Sequence, residues 1–189
     1  YSSYLDTAAV EARGLAPIQP WLNKIKALND KAGYTALVVE GAKMGVPGPL
    51  VGYVGQDDNL PETYIFTLSQ GGTGLPDRDM YLVDNPKMAA IRTAYVAHLA
   101  KMLELAGETD GAARAAAVMA LETQIAKVQW TREDSSDAAK TYNKFALAQT
   151  MQFSTPTFDL QAALKALSPK ITQVLINQPS AVKGIGGIL

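Results

Sequence analysis

The chain has 189 residues, 48% of them hydrophobic, with 17 basic and 18 acidic side chains and no cysteine. That size supports a buried core without disulfide or metal staples, as one compact body or a body with a flexible flank. A formal charge of −1 spread along the chain gives no electrostatic footprint for a phosphate backbone and argues against a nucleic-acid partner, while the missing thiols exclude disulfides, thiolate metal sites and cysteine nucleophiles.

From Leu5 to Leu28 apolar residues recur at helical spacing, broken at Gly14 and again at Pro17 and Pro20, which predicts two helices joined by a turn. Tyr34 to Val39 reads as a third helix or a short extended run, and Gly41 to Gly48 is too rich in glycine and proline for either. The period then changes to two. Leu50 to Gln56 and Thr63 to Leu68 carry β-branched and aromatic residues around Asp57-Asp58-Asn59, which predicts a β-hairpin with a longer loop. Gly71 to Asp79 is a loop. Asn85 is placed to cap a helix with Pro86 in its first turn, carrying Ile91, Tyr95, Leu99, Met102 and Ala106 on one face and closed by Gly107. A second long helix is expected from Gly111 to Trp130, with Val118, Leu121, Ile125 and Val128 on its stripe, and the short link favours an antiparallel pair. Ser135 to Asp137 opens a helix-prone region reaching Met151. Thr157 can cap a helix from Phe158 to Leu167, and Gln173 to Asn177 is a strand candidate before Pro179. The expected fold class is mainly α, a helical lobe with long antiparallel helices and a small antiparallel β-hairpin. All 189 residues are read as a single domain.

No apolar run approaches the roughly 20 residues that cross a bilayer, and no basic-then-apolar leader stands at the start. The first residue is Tyr1, and the last six, from Gly184 to Leu189, are rich in glycine, so both ends read as cuts in a longer polypeptide.

Several residue groups invite a chemical reading, and each also has a structural one. His98 is the single histidine, whereas an H-E-x-x-H zinc site needs two imidazoles one helical turn apart, so His98 is read as structural. Asp77-Arg78-Asp79 could clasp a carboxylate or a calcium ion, but the further ligands of a calcium loop are missing at their spacing, and a loop pinned by capping and ion pairing is expected. Ser180 and Lys183 match S-x-x-K without the partner motifs of a serine hydrolase. Gly71-Gly72-Thr73-Gly74 is followed by Leu75-Pro76 rather than by a lysine and a helix, so it is a turn rather than a phosphate cradle. Glu122, Glu133 and Asp134 are read as solvated or ion-paired, and Trp21, Trp130 and Tyr142 as packing anchors. Tyr142-Asn143 is expected to lock two helices through hydrogen bonds. No catalytic, cofactor-binding or metal-binding residue is assigned.

Two runs carry a more specific signal. Gly74-Leu75-Pro76-Asp77-Arg78-Asp79-Met80-Tyr81 resembles the G-L-P-x-R-D-x-Y signature, and Tyr142-Asn143-Lys144 the Y-N-K signature, of the neprilysin-like zinc metallopeptidases. The segment Tyr1 to Gly14, the Leu121-Glu122 helix and the Gln178-Pro179-Ser180 junction are similar to further family elements, in the family's order. The resemblance covers essentially the whole chain and places it in the non-catalytic N-terminal region. It implies a parent endopeptidase in which zinc activates the attacking water, with the zinc ligands and catalytic glutamate beyond Leu189 and other substrate-carboxylate contacts before Tyr1. It further implies that this region is a helical lobe which faces the catalytic lobe, encloses a cavity and admits peptides rather than folded proteins. Zinc is therefore expected in the parent and not in this chain, with peptides as substrates and an extracytoplasmic home. Met80, where the family often has an aromatic residue, and the missing cysteines of animal members point to a bacterial-type member. A free-standing helical module that binds a peptide or protein without chemistry is the alternative, and a serine hydrolase built on Ser180 and Lys183 is a distant third.

Overall fold

The structure is a computed structural model that describes residues 2–189. Tyr1, where the segment similar to a family element begins, lies outside them. The chain starts with two short helices, α1 (Ser2–Leu5) and α2 (Thr7–Arg13). Asp6 separates them because its carboxylate accepts the Ala9 N–H at 3.0 Å and caps α2. Gly14, at φ 48°, turns the chain into α3 (Gln19–Lys26), which carries Pro20 in its first turn. The next segment is α4 (Ala32–Lys43), so the extended option fails and the helix runs through Gly41. That glycine serves packing: a Cβ there would lie 3.2 Å from the Trp21 ring, and its absence brings α4 against α3.

The hairpin is built from β1 (Leu50–Asp57) and β2 (Leu60–Gln70), joined by two residues rather than a longer loop. The tight turn has a local cause, since the Asp57 carboxylate accepts the Asn59 N–H at 3.1 Å, as aspartate does in turns. A one-turn helix α5 (Asp79–Leu82) precedes the long pair α6 (Pro86–Leu105) and α7 (Gly111–Val128). Asn85 caps α6 by accepting the Met88 N–H at 2.9 Å, and Gly107 at φ 87° ends it, both as expected. The stripes differ in detail. Met102 is 51% exposed, and on α7 Leu121 is 40% exposed while Gly111, Ala115, Ile125 and Ala126 are buried. Close approach decides this pattern: a Cβ on Gly111 would lie 2.8 Å from the Ala100 carbonyl oxygen, so small residues face the partner helix.

The helix-prone region after Ser135 breaks up into α8 (Arg132–Ser136), α9 (Ala138–Thr141), strand β3 (Lys144–Ala146) and a 3-10 turn over Leu147–Phe153. Asp137 ends α8 and caps α9 in one step, which stops a single helix from forming. Helix α10 (Leu160–Leu167) is capped by Asp159 rather than Thr157, through a bond from the Ala162 N–H of 3.0 Å. Strand β4 (Gln173–Ile176) and α11 (Pro179–Ile188) complete the chain.

The sheet runs β1-β2-β4-β3, antiparallel at its two outer pairings and parallel between β2 and β4. It is therefore mixed, not the isolated antiparallel hairpin expected, because more than one hundred residues separate β2 from β4 and bring the latter back beside it in the same direction. The core lies on this sheet. Leu68, Val174 and Ile176 pack with Phe153, Leu164 and Val182, all at most 5% exposed. Each such side chain contributes about 1.5–3 kcal/mol by leaving water. Helices α2 and α3 contain no fully buried residue, so they sit at the margin of this core.

Candidate functional site

The glycine-rich turn and the Asp77-Arg78-Asp79 run form a bracket that fastens the end of the hairpin to the long helices. Gly72, at φ 84°, takes the backbone through a conformation open to glycine, with its α-carbon region against Pro49 and Ile125. Glu122 of α7 then gathers three donors, the Gly74 N–H at 3.1 Å, the Tyr95 hydroxyl at 3.1 Å and the Tyr81 hydroxyl at 2.8 Å. The Tyr81 oxygen itself accepts the Leu75 N–H at 2.8 Å. Burial, reinforced by the neighbouring Glu122 carboxylate, pushes the Tyr81 hydroxyl well above its ordinary value, and the same causes push Tyr95 up to about 12. Both tyrosines are therefore held as neutral donors.

Arg78 reaches α7 as well, donating from Nε to the Ala126 carbonyl at 3.2 Å and lying 3.4 Å from Asp79. Asp77 accepts the Asp79 N–H at 2.8 Å, and Arg92 of α6 donates to the carbonyls of Met80 and Val83 at 3.0 and 2.9 Å. The run thus pins a loop, as its structural reading expected. A second junction ties the sheet to α11. Gln70 accepts the Trp130 N–H at 2.7 Å and donates to the Trp130 carbonyl at 3.2 Å, while its own N–H reaches Gln178 at 3.1 Å.

The tyrosine-asparagine-lysine run binds the hairpin rather than two helices. Tyr142 donates its hydroxyl to Asp57 Oδ1 at 2.8 Å, Lys144 pairs with Oδ2, and the Asn143 carbonyl accepts the Ile176 N–H at 2.8 Å. Asp57 is 1% exposed, and the Lys144 ammonium, with the Tyr142 hydroxyl, holds its carboxyl below the usual carboxylate range. Since β1 and β3 are the two edges of the sheet, this carboxylate links one edge to the other.

The remaining candidates are dispersed. His98 is exposed on α6. Ser180 accepts the Trp130 indole N–H at 2.6 Å and, among the described residues, makes no hydrogen bond to the exposed Lys183. Glu133 is exposed, and Asp134 pairs with Lys140 at 2.6 Å, so neither shares a partner with Glu122. Glu122 corrects its sequence reading, because it faces inward to hydroxyl and amide donors rather than to water or a cation. Among the described residues no group of three or more His, Asp or Glu side chains could hold a metal ion. The hollows are shallow, about 300 Å³ beside Asp30, Lys31, Tyr34 and Leu189 and about 260 Å³ beside Lys24, Leu37 and Glu40. No described helix is long and apolar enough to cross a membrane. The arrangement is a set of positioning brackets. Sequence reasoning missed Tyr95, Arg92 and Asp57 as their members, although Glu122 stood in a motif already singled out.

The chain is similar along its length to known proteins. Residues 1–189 match the model of the N-terminal region of peptidase family M13. An endothelin-converting enzyme homolog of Locusta migratoria is 29% identical over 158 residues, which is 78% of this chain and 22% of that protein. Human endothelin-converting enzyme-like 1 is 30% identical over 103 residues, 53% of this chain and 13% of its own. Among solved structures, the zinc metalloprotease ZMP1 of Mycobacterium tuberculosis in complex with an inhibitor superposes with a TM-score of 0.90 at 30% identity, covering 100% of this chain and 29% of its own. PepO from Lactobacillus rhamnosis HN001, at 20% identity and a TM-score of 0.78 over 94% of this chain and 29% of its own, shares the fold. The chain thus spans less than a third of the length of these relatives. The signature loop bracketed to the long helices, the clasp on the hairpin and the match along the whole sequence lead to one conclusion: this chain belongs to peptidase family M13, as its N-terminal region.

Proposed function

We propose that this chain is part of the helical lobe of a zinc metalloendopeptidase, encloses the cavity in which peptides are cut, and limits the size of what enters. The observation that carries the reading is the likeness along the full chain, at a TM-score of 0.90, to a zinc metalloprotease more than three times as long. The donor set here does not fit a zinc centre, since the single histidine is exposed and no described trio of ligating side chains converges. On this reading the reaction of the parent belongs to residues outside the chain, and the 189 residues alone are expected to bind no stoichiometric zinc and to cut no peptide. Their partners are the catalytic lobe and, in the assembled cavity, the peptide, with an extracytoplasmic home for the whole protein.

The test is to read the source transcript onward from the Leu189 codon. An open frame containing H-E-x-x-H and a downstream glutamate ligand supports the proposal, and the full-length product should then cleave short peptides but not folded proteins. A nearby stop codon would leave a free-standing binding module. Cleavage of folded proteins as fast as peptides would remove the size-limiting role while leaving the peptidase.

A further inference from the structure

We propose that the outer part of the β1–β2 hairpin, residues 56–64, is a hinged flap latched to the body of the protein by Asp57. Three observations converge on this. Among the described residues, every side-chain hydrogen bond or ion pair that leaves residues 56–64 ends on Asp57, through the Tyr142 hydroxyl at 2.8 Å and the Lys144 ammonium. The other side-chain bonds of the segment stay inside it, from Gln56 to the Pro61 carbonyl, from the Asn59 N–H to Asp57 and from Thr63 to the Leu60 carbonyl. The backbone ladder that ties β2 to β4 begins only at Phe66.

Burial follows the same boundary. Residues 60–64 are all exposed, Tyr64 at 78% and Leu60 at 53%, whereas Ile65 is 6% and Leu68 4% exposed. Few apolar contacts therefore hold the outer segment down. The pivot lies at the Gly55–Ile65 pair of the ladder, where β2 enters the core at Ile65 and β1 carries a residue without a side chain. A two-stranded ribbon beyond such a pivot keeps its own ladder when it moves, so opening costs mainly the latch. The latch is reversible for an electrostatic reason. Closed, Asp57 is 1% exposed and held by a cation and a hydroxyl; open, water solvates the carboxylate and the ammonium separately and offsets much of the lost attraction. The device does not depend on what the parent polypeptide catalyses.

Amide hydrogen exchange on the 189-residue chain tests it. In the wild-type chain the amides of residues 56–64 should exchange through an opening of smaller free energy and weaker urea dependence than those of Val174 to Ile176 and helix α7, and Asp57→Asn should accelerate exchange in residues 56–64 by about tenfold or more, as loss of a charge-assisted bond implies. Tyr142→Phe, which keeps the ring and removes one donor, should produce a smaller acceleration over the same span. Unchanged exchange at 56–64 in both variants would overturn the latch. A single opening free energy and urea dependence shared by residues 56–64, β4 and α7 in the wild-type chain would overturn it too, because the segment would then open only with the whole fold rather than as a flap.

Discussion

The Tyr95 hydroxyl occupies the space that a side chain on Gly74 would need, since a Cβ built at that glycine lies 2.0 Å from the phenolic oxygen and 3.0 Å from Cζ. The glycine of the G-L-P signature is thus required by a neighbour from α6 rather than by its own backbone angle. Gly74→Ala should destabilise the chain by about 1–3 kcal/mol, the usual cost of overpacking, read from the urea midpoint. Tyr95→Phe on that background removes the clashing oxygen, so the two changes together should cost less than the sum of their separate effects.

Glu122 is the second test of the bracket. In Glu122→Gln one carboxylate oxygen becomes an NH₂ group, and a neutral amide cannot accept from Gly74, Tyr95 and Tyr81 as the carboxylate does. A loss of about 1.5–3 kcal/mol is expected, the range for a hydrogen bond to a charged group, again from urea unfolding.

The tyrosines report the same site at alkaline pH. A phenol whose folded value is raised contributes stability that is fully present below its ordinary value of about 10 and is lost as pH rises through the folded value. Of the eight tyrosines, Tyr81, Tyr95 and Tyr34 should ionise late in a spectrophotometric titration, Tyr95 near about 12. Tyr81→Phe and Tyr95→Phe should each remove one late step, and Glu122→Gln should bring the remaining two of that cluster forward, because part of their shift comes from its charge.

Asp57 sets the acid limit. Its folded value is depressed by Lys144 first and Tyr142 second, so its contribution is present above the ordinary aspartate value of about 3.9 and is lost as pH falls through the lower folded one. Thermal melts of the wild-type chain should fall steeply in that window, and those of Asp57→Asn should fall less. An equally steep fall in the variant would assign the acid limit to other carboxylates.

Much of the fold is visible in local chemistry. Asn85 and Gly107 mark the ends of α6 because capping is decided within one turn of chain, and the period-two run from Leu50 to Leu68 gives the hairpin for the same kind of reason. The misses also have local causes. Thr157 and Asp159 are both cap-forming residues two positions apart, and Asp137 cuts a helix-prone stretch that composition alone leaves whole. Gly41 looks like a breaker in the sequence but lies within α4, where Trp21 requires its lack of a side chain, whereas Gly111 opens α7 as expected.

By itself, then, the sequence determined the ends of α6, the hairpin, the membership of a peptidase family through two short signatures, and the lack of a histidine pair for zinc. Only the tertiary structure decided that β4 returns parallel to β2, that Glu122 turns inward to two tyrosines and an amide, and that Asp57 joins the two edges of the sheet. The reason is distance along the chain. Capping and alternation act between residues a few positions apart, whereas Asp57 and Tyr142 stand 85 positions apart, and nothing in their local surroundings says which acceptor each donor will meet.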